Sequence, residues 1–370
     1  MALVVFGSPT ARGQEASDTA RIVVVPDTQI YAQSDSGGAT AQAQFDWIAD
    51  NAAVSNTVFV THVGDVVQEP ESSTEWDRIE PGFAALEAAA VPYGIAPGNH
   101  DIDSPELTAV YDTRFSVNRF NAEPWFGGSH PPEGNRSSWQ TVEVGDHDIL
   151  MLHLRHLVDD YGDVDAVLDW AQSILDRHPN HLAIVTTHEF TEGDGSVRLP
   201  QVRDALAESC TVALVLSGHR LGESAEGTFT DACGRTVRHL LTNYQFIDEG
   251  GQGFLRTLDI NVSTLQVESA IYSPTLDEFR SGDSESASFA LTPLVPIVGD
   301  ANCDRSLDLG DAVVIVQWAV GRIESTTESC VPFGADTMNL AGADADGSGD
   351  VNLADALLLA QCSVGLAVCE

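Results

Sequence analysis

The stretch VVVPDTQIY, residues 23–31, sets three β-branched apolar residues directly before a proline, then supplies an aspartate, a threonine and a glutamine. Proline donates no ladder hydrogen bond, so the strand stops at Pro26 and Asp27 and Gln29 fall at its carboxyl end. The pattern recurs along the chain. TVFVTHVGD (57–65) ends on Asp65, YGIAPGNHD (93–101) on Asn99, His100 and Asp101, LAIVTTHEF (182–190) on His188, and VALVLSGHR (212–220) on His219. These runs are continuously apolar rather than alternating, as in strands covered on both faces.

Segments of helical period separate them. In TAQAQFDWIADNAA (40–53), Ala41, Phe45, Ile48 and Ala52 share one face; EWDRIEPGFAALEAAA (75–90), DVDAVLDWAQSILDRHP (163–179) and LPQVRDALAES (199–209) read the same way. Buried strands alternating with helices predict an α/β core. Beyond residue 222, GRTVRHLLTNYQ, GFLRTLDIN and TLQVESAIYSP alternate and are punctuated by glycine, which predicts antiparallel strands added to the same domain. Residues 117–140 read as a long loop bordering a site.

Ligands of open α/β sheets bind outside the carboxyl ends of strands, so the five ends are expected to converge on one crevice. Mixed carboxylate, amide and imidazole donors suit Mn²⁺, Fe²⁺ or Zn²⁺. The ordered series D-x-Q, GD, GNHD, H and GH, over about residues 21–296, resembles the calcineurin-like metallophosphoesterases; PDTQIY, NYQF…GGQGFLR and YSP resemble the branch whose first motif is DTQ.

That resemblance implies a four-layer α/β/β/α sandwich with two metal ions at the strand tips. Asp65 is then expected to bridge both ions, Asn99, His188 and His219 to complete the second, and Asp27 and Gln29 to hold the first. His100, steered by Asp101, is expected to protonate the leaving oxygen or stabilise phosphoryl charge. Tyr31, Tyr244 and Gln245 are expected to line the substrate pocket. One departure stands out. The family usually ends the series with GHxH, whereas GHRLG places Leu221 at the last position, which weakens the first metal site; Glu223 is a nearby oxygen donor. His62, His153 and His156 read as core or hydrogen-bonded residues.

Composition narrows the partners. The formal net charge is −39, and all 17 basic residues are arginine. Such a surface repels nucleic acid and anionic membranes, and the excess acid reads as a halophilic, solubilising adaptation. Six cysteines, none in a CxxC pair, suggest structural disulfides in a secreted or extracellular protein, with Cys210 and Cys233 as one candidate pair. Residues 1–20 read as a truncated signal or an N-terminal tail. No stretch reaches the roughly 20 apolar residues of a membrane span.

A composition break at prolines 293 and 296 introduces an acidic, duplicated segment over 297–370. In DANCDRSLDLGD (300–311), Asp300, Asn302, Asp304, Ser306, Asp308 and Asp311 occupy positions 1, 3, 5, 7, 9 and 12 of a calcium loop; Asp344, Asp346, Ser348, Asp350, Asn352 and Asp355 do so in DADGSGDVNLAD (344–355). Only the following helix of each loop is evident. The duplicated loop-helix resembles a dockerin, a small α module with two calcium loop-helix repeats, which implies two Ca²⁺ ions and a cohesin-bearing scaffold as partner. Arg305 at position 6, and Leu309, Gly310, Leu353 and Ala354 where many dockerins carry hydroxyl groups, depart from that pattern. The reading is metal-dependent hydrolysis of a phosphomonoester or phosphodiester; the rival is a degenerate fold that binds metal or phosphate ligands without turnover.

Overall fold

The buried valines of the opening stretch lie in β1 (Thr19–Val25), followed by β2 (Thr57–His62), β3 (Tyr93–Ile95), β4 (Phe126–His130), β5 (Ser137–Val144), β6 (His147–Leu154) and β7 (Leu182–Thr187). The series continues with β8 (Val212–Ser217), β9 (Ser224–Thr230), β10 (Thr236–Thr242), β11 (Leu255–Asn261), β12 (Gln266–Ser273), β13 (Glu278–Phe279) and β14 (Ala287–Ala290). The computed structural model describes residues 18–364, apart from 103, 133, 146, 159–163, 223, 281–285, 293, 295–298, 303–306, 323, 327–336 and 340–342. Residues 1–17, Glu223, prolines 293 and 296, Asp304, Arg305 and Ser306 therefore lie outside the described residues.

Two sheets form. One runs β13-β12-β11-β1-β2-β3, with β14 also on β12; the other runs β4-β5-β6-β7-β8-β10-β9. Side-chain alternation in β1 decides the layering. Val23 and Val25 join one cluster with Phe45, Ile48, Trp76 and Phe83 of the helices Asp35–Asn51 and Ser73–Ala88. Ile22 and Val24 instead join Val142, Ile149, Ile184 and Leu214 of the second sheet. That sheet's far face, through Leu150, Leu152 and Val185, packs with Val167, Ile174 and Val202 of the helices Val164–Arg177 and Pro200–Glu208. The order is helix, sheet, sheet, helix.

The five ligand-bearing ends belong to the two sheets of the expected sandwich, β1 to β3 in one and β7 and β8 in the other, so the crevice lies across a sheet-on-sheet junction. Two expectations need correction. The strand β10 pairs parallel with β8 and antiparallel only with β9, so the parallel core extends one strand further than periodicity suggests. Residues 117–140 hold a 3₁₀ turn and the strand pair β4 and β5, not a long loop. Glycine-rich FGGSH has little β propensity, but any Cβ on Gly127 would overlap the Trp139 indole, and that close packing keeps the strand in place.

A disulfide joins Cys210 and Cys233, tying the start of β8 to the β9–β10 turn. In the tail, Ala301, Ala312, Ile315, Ala343, Ala356 and Leu359 form a separate small cluster between the helices Leu309–Ala319 and Leu353–Ser363. No helix among the described residues is long and apolar enough to cross a membrane.

Candidate metal centre

His188 follows β7, a strand buried along its whole length, and its own ring is fully buried. Nδ1 lies 2.8 Å from the Val63 carbonyl, which can only accept, so Nδ1 carries a proton and Nε2 is the nitrogen that faces the site. Three donors surround that nitrogen: His219 Nδ1 at 3.0 Å, Asn99 Oδ1 at 3.1 Å and Asp65 Oδ2 at 3.2 Å. Atoms bound at about 2.1 Å to a common ion stand about 3.0 to 3.4 Å apart in octahedral or tetrahedral geometry. Nε2 thus stands at coordination-sphere spacing from each of three donors, the set being drawn from the ends of β2, β3, β7 and β8.

Backbone geometry serves the same end. Asp65 and His219 both adopt left-handed conformations, with φ of 50° and 64°. Each such residue costs about 1–3 kcal/mol, comparable to the burial of one valine in the preceding strands. Gly98 admits no side chain, because a Cβ would collide with Asp65 Oδ1 and the His188 ring; a Cβ on Gly218 would collide with Asp27 Oδ1.

Charge around these donors has the sign of a cation site. Burial would raise the Asp65 carboxyl, but the adjacent His188 overrides it and holds it at about 2. Against its own burial, His188 is lifted to about 10, chiefly by Asp65 and then by Asp27. Burial raises Asp27 well above the carboxylate range. Burial, then His188, lowers His219 to about 4, leaving it neutral with a lone pair to donate. The Asp65 carboxylate thus draws positive charge onto an imidazole where a divalent ion would take that role.

The first half of the site is arranged differently. Asp27 accepts from the His219 backbone N–H, 3.1 Å from Oδ2, and from Gln245 Nε2, also at 3.1 Å. Gln29 donates to Gln245 Oε1 at 2.6 Å, and its own Oε1 is buried with no hydrogen-bond partner among the described residues. A buried amide oxygen left unpaired is costly unless something else binds it. Asp27, Gln29 and Asp65 thus supply an all-oxygen set. Leu221 points to solvent, 66% exposed, and contributes nothing to it.

Several expected roles change. Asp101 does not steer His100: its carboxylate accepts from the Val66 N–H at 3.0 Å and the Gly98 N–H at 2.8 Å, bracing the two ligand loops. Burial, with Asp65 adding, raises it to about 7. His100 is held instead by Gln68, whose backbone carbonyl and side-chain amide nitrogen each lie 3.0 Å from Nδ1. Tyr31 and Tyr244 are each 1% exposed and belong to the core rather than to a pocket wall, and the Tyr31 hydroxyl accepts from Gly253 N–H. Gln245 is likewise buried, against Asp27 and Gln29. His62 and His153 are core residues: Gly64 N–H donates to His62 Nδ1, and His153 lies between Thr61 and Gln140.

His156, read as core or hydrogen-bonded, and Glu189, which was not singled out, border the four donors. The His156 ring lies 5.3 Å from that of His188 and 5.6 Å from that of His219, with Nε2 3.2 Å from Glu189. Glu189 also meets Arg220 at 3.1 Å. The sequence signal was slight: His156 follows the apolar run of β6 as the ligands follow theirs, and Glu189 adjoins His188.

A family model for calcineurin-like phosphoesterases matches residues 20–222, more than half of the chain. The chain belongs to the calcineurin-like phosphoesterase family. Members of this family use divalent metal ions, and Asp65, His188 and His219 offer a possible metal site, with ligand atoms all within 4.8 Å of one another. The uncharacterized protein YvnB of Bacillus subtilis (strain 168) is 28% identical over 298 residues, which cover 76% of this chain and 22% of that protein. The chain thus spans less than a quarter of that relative's length. Among solved structures, the purple acid phosphatase PPD1 of yellow lupin (Lupinus luteus) is similar with a TM-score of 0.50 at 14% identity, covering 74% of this chain and 54% of that one. A dimetal phosphatase from Danio rerio aligns with a TM-score of 0.46 at 11% identity, over 74% of this chain and 99% of its own.

Proposed function

We propose that the protein is a two-metal phosphoester hydrolase, and the four donor atoms gathered around His188 Nε2 carry that reading. Asp65 is the shared ligand; Asn99, His188 and His219 hold the second ion; Asp27 and Gln29, in a DTQ-type first motif, hold the first. The all-oxygen first set suits Mn²⁺, whereas the imidazole-rich second set also accepts Fe²⁺ or Zn²⁺. When bound, the ions supply a water of lowered pKa and neutralise phosphoryl charge. His100 then offers an Nε2–H to the leaving oxygen, its ring held at Nδ1 by Gln68 and its backbone N–H donating to Asp65 Oδ1 at 2.9 Å. Asp101 keeps the β2 and β3 loops in register.

Metal analysis of the purified chain beside hydrolysis of an aryl phosphate and a bis-aryl phosphate tests this reading and separates monoester from diester. Metal bound with no turnover of either substrate, with or without added Mn²⁺, selects the non-catalytic alternative, which the outward-facing Leu221 favours.

The tail is proposed as a dockerin-like module. Asp344, Asp346 and Asp355 bring ligand atoms within 4.8 Å of one another. Both loops share one plan, in which Asp311 accepts from the Asn302 and Asp308 N–H groups and Asp355 from those of Asp346 and Asn352. Leu309, Val313 and Val320 are exposed on or just beyond one helix, and Leu353, Leu357 and Val364 on or just beyond the other, 44 residues later in each case. These matched apolar stripes support a scaffold partner of cohesin type, and with it secretion. Ca²⁺ titration of the full chain followed by protease sensitivity of 299–364 tests the calcium sites; identical cleavage with Ca²⁺ and with EDTA removes them.

A further inference from the structure

We propose that Gln245 is a positioning residue that decides which end of the Gln29 amide faces the first metal site, compensating for the imidazole that Leu221 does not provide. The inference rests on the reading of Asp27 and Gln29 as ligands of that site.

As a metal ligand Asp27 is ionised, and an ionised carboxylate can only accept hydrogen bonds, which fixes the polarity of a chain of three side chains. The Gln245 atom 3.1 Å from Asp27 Oδ2 is therefore the amide nitrogen. Its carbonyl oxygen is turned to Gln29, 2.6 Å away, and must receive the Gln29 NH₂. The Gln29 oxygen is thereby left buried and unpaired among the described residues, as a cation ligand requires. With the Gln245 amide reversed, Gln29 would present an NH₂ group, which repels a cation.

The anchor is itself held. Gln245 N–H donates to Asn243 Oδ1 at 3.2 Å, and Asn243 Nδ2 donates to the Arg220 carbonyl at 3.3 Å, next to Leu221. Gln245 is 6% exposed, so water does not compete for its amide. The loop that lacks the imidazole is thus linked by hydrogen bonds to the residue that orients the remaining ligand.

The test is equilibrium dialysis of the full chain against Mn²⁺, with saturating Ca²⁺ present to occupy the tail. Wild type is expected to bind one tight and one weaker Mn²⁺ at the catalytic centre. Gln245→Met keeps the volume and removes donor and acceptor; it should weaken the weaker site about tenfold or more, the scale of one charge-assisted contact, and leave the tight site unchanged. Gln29→Glu presents an oxygen whichever way it turns, so in that background Gln245→Met should change the weaker Kd by less than about twofold. The unchanged tight site reports that the variant is folded, and Gln245→Ala should behave in the same way. Equal weakening in both backgrounds, or none in the wild-type background, overturns the positioning role alone. A wild-type chain with no weaker Mn²⁺ site overturns the reading of the first site and this proposal with it.

Discussion

Around His188 Nε2, donors from the ends of three other strands lie within 3.2 Å, whereas at Asp27 and Gln29 comparable distances are spanned by amides bonded to one another. The first arrangement depends on strand register and on glycines that leave no room for error. The second depends on the order of donors along a side-chain chain. A site fixed by strand ends tolerates little substitution, while one fixed by a hydrogen-bond chain can lose an imidazole and retain a usable set of oxygens. That contrast is consistent with a leucine at position 221.

Removing His188 should separate the two halves most sharply. His188→Ala is expected to abolish hydrolysis and the tight ion together, whereas Gln29→Ala should keep the tight ion and shift Mn²⁺ activation by on the order of tenfold. Metal content and activation curves for the two variants check this, and equal losses would erase the distinction. His100→Ala comes next: kcat should fall by about 10²–10⁴ with both ions retained, as for a residue that acts on a proton and not on a metal.

Glycine substitutions probe the same contrast sterically. Gly98→Ala should displace Asp65 and His188 and lower stability by about 1–3 kcal/mol, while Gly218→Ala should disturb Asp27 and spare the tight ion. Denaturant melts paired with metal analysis distinguish them.

Acid stability tests whether the core under the site behaves independently of the metals. Burial lowers His153 to about 3, so between that value and about 6.5 the unfolded chain binds a proton that the folded chain does not. Stability should therefore be full above about pH 6.5 and fall as pH drops, by up to about 1.4 kcal/mol per pH unit for this group. His153→Gln should remove that share of the slope in the presence and absence of metal alike. The smallest effect is expected from Leu221→His, because a side chain at this exposed position points away from Asp27; Mn²⁺ activation should stay within about twofold of wild type.

Much of the site was legible because buried strands announce themselves. Asp65, Asn99, His188 and His219 each follow a continuous apolar run, and the fold needs only bring those ends together. Asp101 was misread since adjacency to His100 says nothing of side-chain direction; in the short helix Asn99–Ile102 it turns inward to backbone N–H groups. Tyr31 and Tyr244 sit in motifs beside the site, yet packing draws their rings into the core. Gln68, His156 and Glu189 carried no distinct signal, since each acts through contacts made only across the fold.

By itself the sequence determined the α/β class, the strand ends that carry metal-binding groups and the duplicated acidic loops, because hydrophobic period and residue chemistry are local properties. Tertiary structure alone decided that Gln68 rather than Asp101 holds His100, and that Gln245 lies between Asp27 and Gln29. Those outcomes depend on contacts between residues far apart in the chain, where the directionality of a hydrogen bond and the space around a buried side chain select the partner.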